Sequence, residues 1–530
     1  MSTAATITAE QAGSSPKVNP WLIGVVVSMA AFMEVLDTSI ANVALPHIAG
    51  SMGASNDEST WVLTTYLVSN AIVLPISGFL VGRLGRKRYF LTCIAFFTVS
   101  SFLCGLAPSL GLLLLFRVLQ GAFGGGLQPM TQAILADTFP PEKRGLAFAL
   151  YGITAVCAPA IGPTLGGWIT DNYSWRWIFY INVPVGILAV LLVSQLVQDP
   201  PYLSNMKKST ARFDYVGFGL LIVGVGALQV ALDKGQEDDW FGSSFITTLI
   251  ILAAVGLVTL VIWEWRHKEP IVDVHLFKLF NFASTSVMMF VMGAVSFSST
   301  VLLPQFLQTL MGYTAQEAGM VISVAAILLF ILMPLVGRLA GHFQARRILA
   351  FGWIALAVAM YFSCKQIDLL ISFRSAAWMR IWQYAPVGFL FVPATMAAYV
   401  GLPESKNNAA AGLINFMRNI GQSVGTSTVT TLLARRSQYH QSVLAESTRS
   451  ARFDTAVTGL TTQLTQVGLS THAAHEQALA RMYGMVLGQA QTLSYVDVYW
   501  LLAAVSALMF LLSFLLAKNE PGAGGKVVME

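Results

Sequence analysis

Gly78-Phe-Leu-Val-Gly-Arg-Leu-Gly-Arg-Lys-Arg88 closes a long apolar run with two glycines four residues apart and a basic cluster. Gly337-Arg-Leu-Ala-Gly-His-Phe-Gln-Ala-Arg-Arg347 closes another in the same way, 259 residues later (337 − 78). Gly162-Pro-Thr-Leu-Gly166 and Gly421-Gln-Ser-Val-Gly425 match at the same offset (421 − 162). Arg117-Val-Leu-Gln120 and Arg380-Ile-Trp-Gln383 match at 263 (380 − 117). Matches at a shared spacing argue for a duplicated unit. Paired repeats around a central cavity are the common architecture of secondary transporters.

The rest of the chain fits that reading. Its 530 residues are 55% hydrophobic and 11% charged. A soluble domain carries roughly 25% charged residues, so this is a polytopic membrane protein. Runs long enough to cross a bilayer, about 20 residues each, fall near 21–45, 60–82, 89–108, 110–135, 146–170, 177–198, 214–232, 244–265, 282–311, 318–340, 348–366, 379–402, 410–433 and 497–517. The expected fold is all-α: two pseudo-symmetric six-helix bundles plus two inserted helices, 14 transmembrane helices in all. The longest run, 282–311, offers a kink at Pro304, and 214–232 is short and Gly-rich. The expected parts are a tail (1–20), an N-terminal bundle (21–198), an inserted pair with flanking loops (199–281), a C-terminal bundle (282–517) and a second tail (518–530). A long polar loop, 434–496, with helical patterning in places such as Ala473–Leu487, interrupts the C-terminal bundle.

Lys and Arg set the orientation. One set of short loops holds Arg83, Arg86, Lys87, Arg88, Lys143, Arg144, Lys207, Lys208, Arg212, Arg266, Lys268, Lys278, Arg346, Arg347 and Lys406. The alternate set holds Arg176, Lys234, Lys365 and Arg374. The first set is therefore expected in the cytoplasm, with both termini, and loop 434–496 outside. Residues 1–20 lack the core of a signal peptide, so 21–45 reads as a permanent span. The four cysteines, at 93, 104, 157 and 364, suggest neither a disulfide framework nor a zinc site. The seven histidines lie in loops or at helix ends, so none is assigned a metal. The net charge of +5 sits in short loops and does not point to nucleic acid. A Walker-type phosphate loop is missing, which points to the proton gradient rather than ATP, and to no cofactor.

Glu34 and Asp37 are the two charges inside the first run. An acid at that depth costs at least a few kcal/mol and marks an ion or proton path. Three residues apart on a helix, they share a face. Their counterparts in the second repeat are Gly293 and Ser296. An acid pair confined to one half favours function over scaffold. Helix direction and residue count put Asp37 and Arg117 at matching depths, so Arg117 is the expected partner of Asp37. A changing separation between the two would switch proton affinity. Glu34, one turn deeper, reads as a second proton site or a cation-recognition carboxylate. The bland alternatives are a static ion pair and a hydrogen-bonded spectator acid.

Leu36-Asp-Thr-Ser-Ile-Ala-Asn-Val-Ala-Leu-Pro46, Gly78–Arg88, Arg117-Val-Leu-Gln-Gly121, Ala158-Pro-Ala-Ile-Gly-Pro-Thr-Leu-Gly-Gly167 and Trp175-Arg-Trp-Ile-Phe-Tyr-Ile-Asn-Val-Pro-Val-Gly186 resemble motifs of the major facilitator superfamily. They are most similar to those of its 14-helix drug:proton antiporters, of the EmrB type. The resemblance implies proton-driven export of lipophilic or cationic compounds by alternating access in the bacterial inner membrane. It also implies a periplasmic adaptor and an outer-membrane channel as partners. It makes Gly78, Gly82, Arg83, Gly85 and Arg86 a cytoplasmic gate, and Gly162, Pro163, Gly166 and Gly167 a hinge. One departure stands out: Gly82 replaces a customary Asp, so the usual acid-centred charge relay is expected to be absent. Arg83, Arg86 and Lys87 are then left to meet helix ends or lipid headgroups. Arg418 is expected to close the two halves on each other. Polar or adaptable groups within spans, Asn42, Tyr66, Asn70, Gln128, Met130, Gln305 and Gln308, are candidates to line the cavity. Other readings are an adaptor-free exporter of a native metabolite such as a siderophore or fatty acid, an importer, and an integral-membrane transferase.

Overall fold

The computed structural model describes residues 19–200, 213–447 and 451–517. The two tails, apart from Asn19 and Pro20, and the basic residues Lys207, Lys208 and Arg212 lie outside them. The first half comprises α1 (Pro20–Met52), α2 (Asn56–Leu84), α3 (Arg86–Leu106), α4 (Leu110–Gly124), α5 (Leu127–Thr138), α6 (Arg144–Asn172), α7 (Trp177–Tyr180) and α8 (Asn182–Leu196). Next come α9 (Tyr215–Lys234) and α10 (Ser244–Arg266). The second half holds α11 (Phe280–Thr309), α12 (Ala315–His342), α13 (Ala345–Gln366), α14 (Phe373–Ala398), α15 (Asn407–Ser447), α16 (Ala451–Gln466) and α17 (Thr471–Leu512). Among the described residues, twelve segments are long and apolar enough to cross a membrane, with α4–α5 and α7–α8 each counting as one. α14 and α15, with Arg380 and Arg418 inside them, complete the fourteen expected places.

Two features depart from the sequence reading. The span at 110–135 is broken at Gly125–Gly126, where the chain presses against Asn70 and Val73 on one side and Tyr89 and Cys93 on the other. Pro304 lies inside α11. The described part of 434–496 is far more helical than the patterning expected near Ala473–Leu487: α15 and α17 continue well beyond the apolar runs, to 41 and 42 residues. α16 folds back on α17 through a small core of Val457, Leu464, Ala474 and Ala478. Asp497 accepts from Arg436 Nε at 2.6 Å and lies 2.7 Å from His440 Nε2, which ties the bases of the two long helices together.

The repeat is visible as packing. Gly162 and Gly166 let α6 lie against Ser39 and Ile40 of α1. Gly421 and Gly425 let α15 lie against Phe290 and Ala294 of α11. Across the halves, α6 packs on α12 and α2 on α15. A Cβ on Gly78 would sit 2.6 Å from Ala409 Cα, so glycine is what lets α2 and α15 touch there. Gly82, one turn on, is exposed and would meet nothing. Gly85 joins α2 to α3 at φ +87°, a left-handed conformation that favours glycine. Gly78→Val is therefore expected to cost about 1–3 kcal/mol or more through overpacking. Gly82→Ala should be neutral or gain about 0.5–1 kcal/mol. Thermal unfolding of the purified variants separates the two.

The inserted pair spans both halves. Gly224 and Gly256 bring α9 and α10 into close contact. On α9, Gln229 Nε2 donates to Ser423 of α15 at 2.8 Å, and Thr64 of α2 donates to Asp233. α10 turns Ile251, Val255, Val258 and Ile262 outward, as a lipid-facing helix would.

Candidate functional site

Asp37 sits at the centre of a fully buried polar nest. Arg117 Nη1 donates to its Oδ2 at 2.7 Å. Gln120 Nε2 and Asn182 Nδ2 donate to its Oδ1 at 2.9 and 2.7 Å. Arg117 in turn gives Nε to the Val62 carbonyl at 3.0 Å and lies 4.2 Å above the Tyr66 ring. Both members of the ion pair are at most 2% exposed. Three helices, α1, α4 and α8, thus meet at one carboxylate, and α2 holds its arginine. Arg117 Nη2 is left without a partner. The guanidinium has a donor to spare if Asp37 changes state.

Glu34 has a nest of its own. Its Oε1 accepts from Tyr66 OH at 3.1 Å and Asn70 Nδ2 at 3.0 Å, and its Oε2 from Gln128 Nε2 at 2.6 Å. Gln128 Oε1 faces the other half: Arg418 donates to it, and Tyr151 OH lies 2.9 Å away. Asn415 Oδ1 stands 3.0 Å from the same hydroxyl. Tyr66 links the two acids, with its hydroxyl on Glu34 and its ring face beneath the Arg117 guanidinium. A continuous path of named contacts therefore runs Asp37–Arg117–Tyr66–Glu34–Gln128–Arg418, from the first half into the second.

The sequence candidates sort into three places. Tyr66, Asn70 and Gln128, chosen as cavity lining, are ligands of Glu34. Met130 is wholly buried in the core. Asn42 and Gln308 are exposed, and Gln305 is half-buried with its Oε1 unpartnered. Arg418 is buried and does bridge the halves. Gly162 and Gly166 stand at the tight α1–α6 contact, and a Cβ on Gly167 would meet Val43 of α1 at an ordinary 3.9 Å. Pro163 lies inside α6, next to the contact of Thr164 with Ser323 of α12 at 2.9 Å.

The expected loss of a charge relay is corrected by the structure. Arg86 is buried, not lipid-facing. Its Nη2 donates to Asp137 at 2.6 Å and its Nε to Asn408 of α15 at 3.1 Å. Asn407 Nδ2 donates to Asp137 at 2.8 Å. The acid comes from the end of α5 instead of position 82, so the relay survives and latches the halves at their basic face. Lys87 bonds the Ser194 carbonyl at 2.6 Å, and Arg83 is exposed.

Three important residues went unassigned in the sequence. Gln120 and Asn182 both lay inside quoted motifs, and their amides were the available signal. Asp137 had none: it meets Arg86 only through tertiary packing, 51 positions along the chain.

A membrane-spanning bundle of two like halves, with buried charges at their junction, is the make-up of a secondary transporter. The Major Facilitator Superfamily model matches residues 27–426. The chain belongs to that superfamily, among the EmrB-type proteins. It is 37% identical over 504 residues to the Multidrug export protein EmrB of Escherichia coli (strain K12), covering 95% of this chain and 96% of that one. It is 41% identical over 421 residues to the Fatty acid resistance protein FarB of Neisseria gonorrhoeae, covering 79% of this chain and 82% of that one. Among solved structures, the human organic anion transporter MFSD10 (TETRAN) superposes with a TM-score of 0.59 at 11% identity, over 94% of this chain and all of that one. That likeness concerns the fold.

Proposed function

We propose that this protein is a proton-driven exporter of lipophilic and cationic compounds, working by alternating access between its two halves. The observation that carries the reading is the buried Asp37–Arg117 pair, joined to the second half by the Tyr66–Glu34–Gln128–Arg418 path. A proton reaching Asp37 removes the charge that holds Arg117. The guanidinium then shifts over Tyr66, and the change passes through Glu34 and Gln128 to Arg418. Arg418 sits where α15 meets the first half, so loading a proton bears on how tightly the halves close. A cationic substrate competes with the proton for Glu34 and Asp37. One elementary charge crossing 100 mV supplies roughly 2.3 kcal/mol, on the order of a 50-fold gradient per proton. Nucleotide is not needed for that.

The excess of Lys and Arg at the latched face supports a cytoplasmic side for that face and for both termini, in the bacterial inner membrane. The helical extension of α15–α17 then stands on the periplasmic side. It is the natural contact for a periplasmic adaptor that continues to an outer-membrane channel, as the EmrB likeness suggests. The test of transport is ethidium movement in proteoliposomes under an imposed pH gradient. Export that follows the gradient and collapses with an uncoupler is expected. Export that requires ATP, or ignores the gradient, would reject the reading. For the adaptor, deletion of 448–470 should abolish its co-purification while gradient-driven ethidium movement in proteoliposomes survives.

A further inference from the structure

The inserted pair is fastened to both halves, and unequally. Along α2 the contact is continuous. Phe79 meets Phe213, just before α9, edge to face at 5.7 Å. Val68 and Ile72 lie beside Gly226. At the start of α2, the end opposite the Arg86 latch, Lys234 is 4% exposed, donates to Thr60 and reaches the Asp57 carbonyl at 3.3 Å. Glu237 answers that ammonium at 2.6 Å. Thr64 donates to Asp233. Among the described residues, the hydrogen bonds from the pair to α15 are neutral: Gln229 with Ser423 at 2.8 and 3.1 Å, and Trp240 Nε1 to Thr431 Oγ1 at 3.0 Å. The backbone behind that last bond is strained. Asp239 and Trp240 have φ of +57° and +47°, the left-handed region that a bulky side chain avoids. The Trp240 amide donates to the Gly235 carbonyl at 2.7 Å, and its ring covers Gly235, where a Cβ would meet it at 2.7 Å. Such a conformation persists only where its surroundings over-determine it, and it collects in segments that switch.

Alternating access requires the α2–α15 seam to part at one end while the other holds. The Arg86 latch holds one end, close to the contact of Gly78 with Ala409. We propose that the α9–α10 hairpin is the clasp of the opposite end, and that it rides with the first half. When that end opens, Trp240 and Gln229 leave α15, while Lys234 and Asp233 stay on α2. The bonds themselves set this direction. Hydrogen bonds to a charged group are roughly twice as strong as neutral ones, and the charged ones lie on α2. Release from Thr431 also lets the Asp239–Trp240 turn relax. At the latch end the segment after α10 is tied to the second half instead, by Lys406 to Asp273 at 2.5 Å. The pair therefore pivots there and swings at its far end. The inference rests on the alternating-access reading and adds to it which half carries the inserted helices.

Reversible cross-linking of the full-length protein tests the direction. Thr64→Cys with Asp233→Cys joins the clasp to α2. Gln236→Cys with Thr431→Cys joins it to α15, since the Trp240 indole N–H lies between those two side chains, at 3.3 and 3.0 Å. Each pair is bridged by a short bis-methanethiosulfonate reagent, and gradient-driven ethidium movement is followed in proteoliposomes. The bridge to α2 should leave the rate as it is in the unbridged pair. The bridge to α15 should stop movement, and dithiothreitol should restore it. Movement stopped by the first bridge, or surviving the second, would overturn the proposal. A second measurement needs no transport, so its result is separate from that of the exporter reading. Ser427 is buried on α15, one turn from both Ser423 and Thr431. Maleimide labelling of Ser427→Cys should be slow. Adding Trp240→Phe, which keeps a ring and loses the N–H, should speed it about three- to tenfold, the scale of one neutral hydrogen bond. Equal labelling rates would show that Trp240 holds nothing closed and would overturn the clasp.

Discussion

Asp37→Asn is expected to abolish proton-coupled export and to destabilise the first half by about 3–5 kcal/mol, the cost of leaving one member of a buried ion pair alone. The asparagine keeps the shape and can still accept from Gln120 or Asn182, but it cannot answer the Arg117 guanidinium at 2.7 Å or carry a proton. Two consequences separate function from stability. Adding Arg117→Gln to Asp37→Asn removes the orphaned charge and should restore most of the melting temperature. It should restore none of the gradient dependence of ethidium movement. If the pair were only a clamp between α1 and α4, the double variant would recover transport along with stability.

Arg86→Ala is expected to have the next largest effect, on conformation more than on chemistry. It removes the bonds from Arg86 to Asp137 and Asn408, which hold the basic ends of the halves together. Losing a buried, hydrogen-bonded ion pair on that scale shifts a two-state equilibrium by about two orders of magnitude if even 3 kcal/mol is specific to the latched state. Ser77 is buried at the α2–α15 contact, close to Gly412. A cysteine placed there reports the latch, because the native cysteines are buried. Maleimide labelling of Ser77→Cys should be slow in the otherwise native protein and at least tenfold faster with Arg86→Ala. Equal rates would mean that Asp137 and the asparagines of α15 hold the face closed without Arg86.

Most of the fold was legible because hydropathy is local and the repeat is not subtle. Glycines at matching positions mark the repeat in the sequence, but that they let α6 meet α1 and α15 meet α11 is visible only in the packing. The span at 110–135 was misread as one helix because an apolar composition does not reveal a break, and only the crowding at Gly125 and Gly126 explains it. In 434–496 the helical pattern at Ala473–Leu487 was legible, but the continuation of α15 was not, because helices that leave the bilayer carry the polar surface of a loop. Arg117 could be expected opposite Asp37, since counting residues along two spans gives depth. The partners of Glu34 were all noticed as polar groups within spans, but what joins them depends on the facing of α2 and α5, which composition cannot supply. Asp137 is the clearest loss: expecting the relay at position 82 hid the fact that charge complementarity, not sequence register, is what the gate requires.

The central claim is that Asp37 exchanges its proton against substrate. Purified protein in weakly buffered solution with a pH-sensitive dye tests it directly. Adding ethidium to the native protein should release protons in a saturable manner, and the release should vanish in the stable Asp37→Asn, Arg117→Gln double variant that still binds ethidium. Undiminished release from that variant would contradict the account and move the proton site to Glu34 or elsewhere.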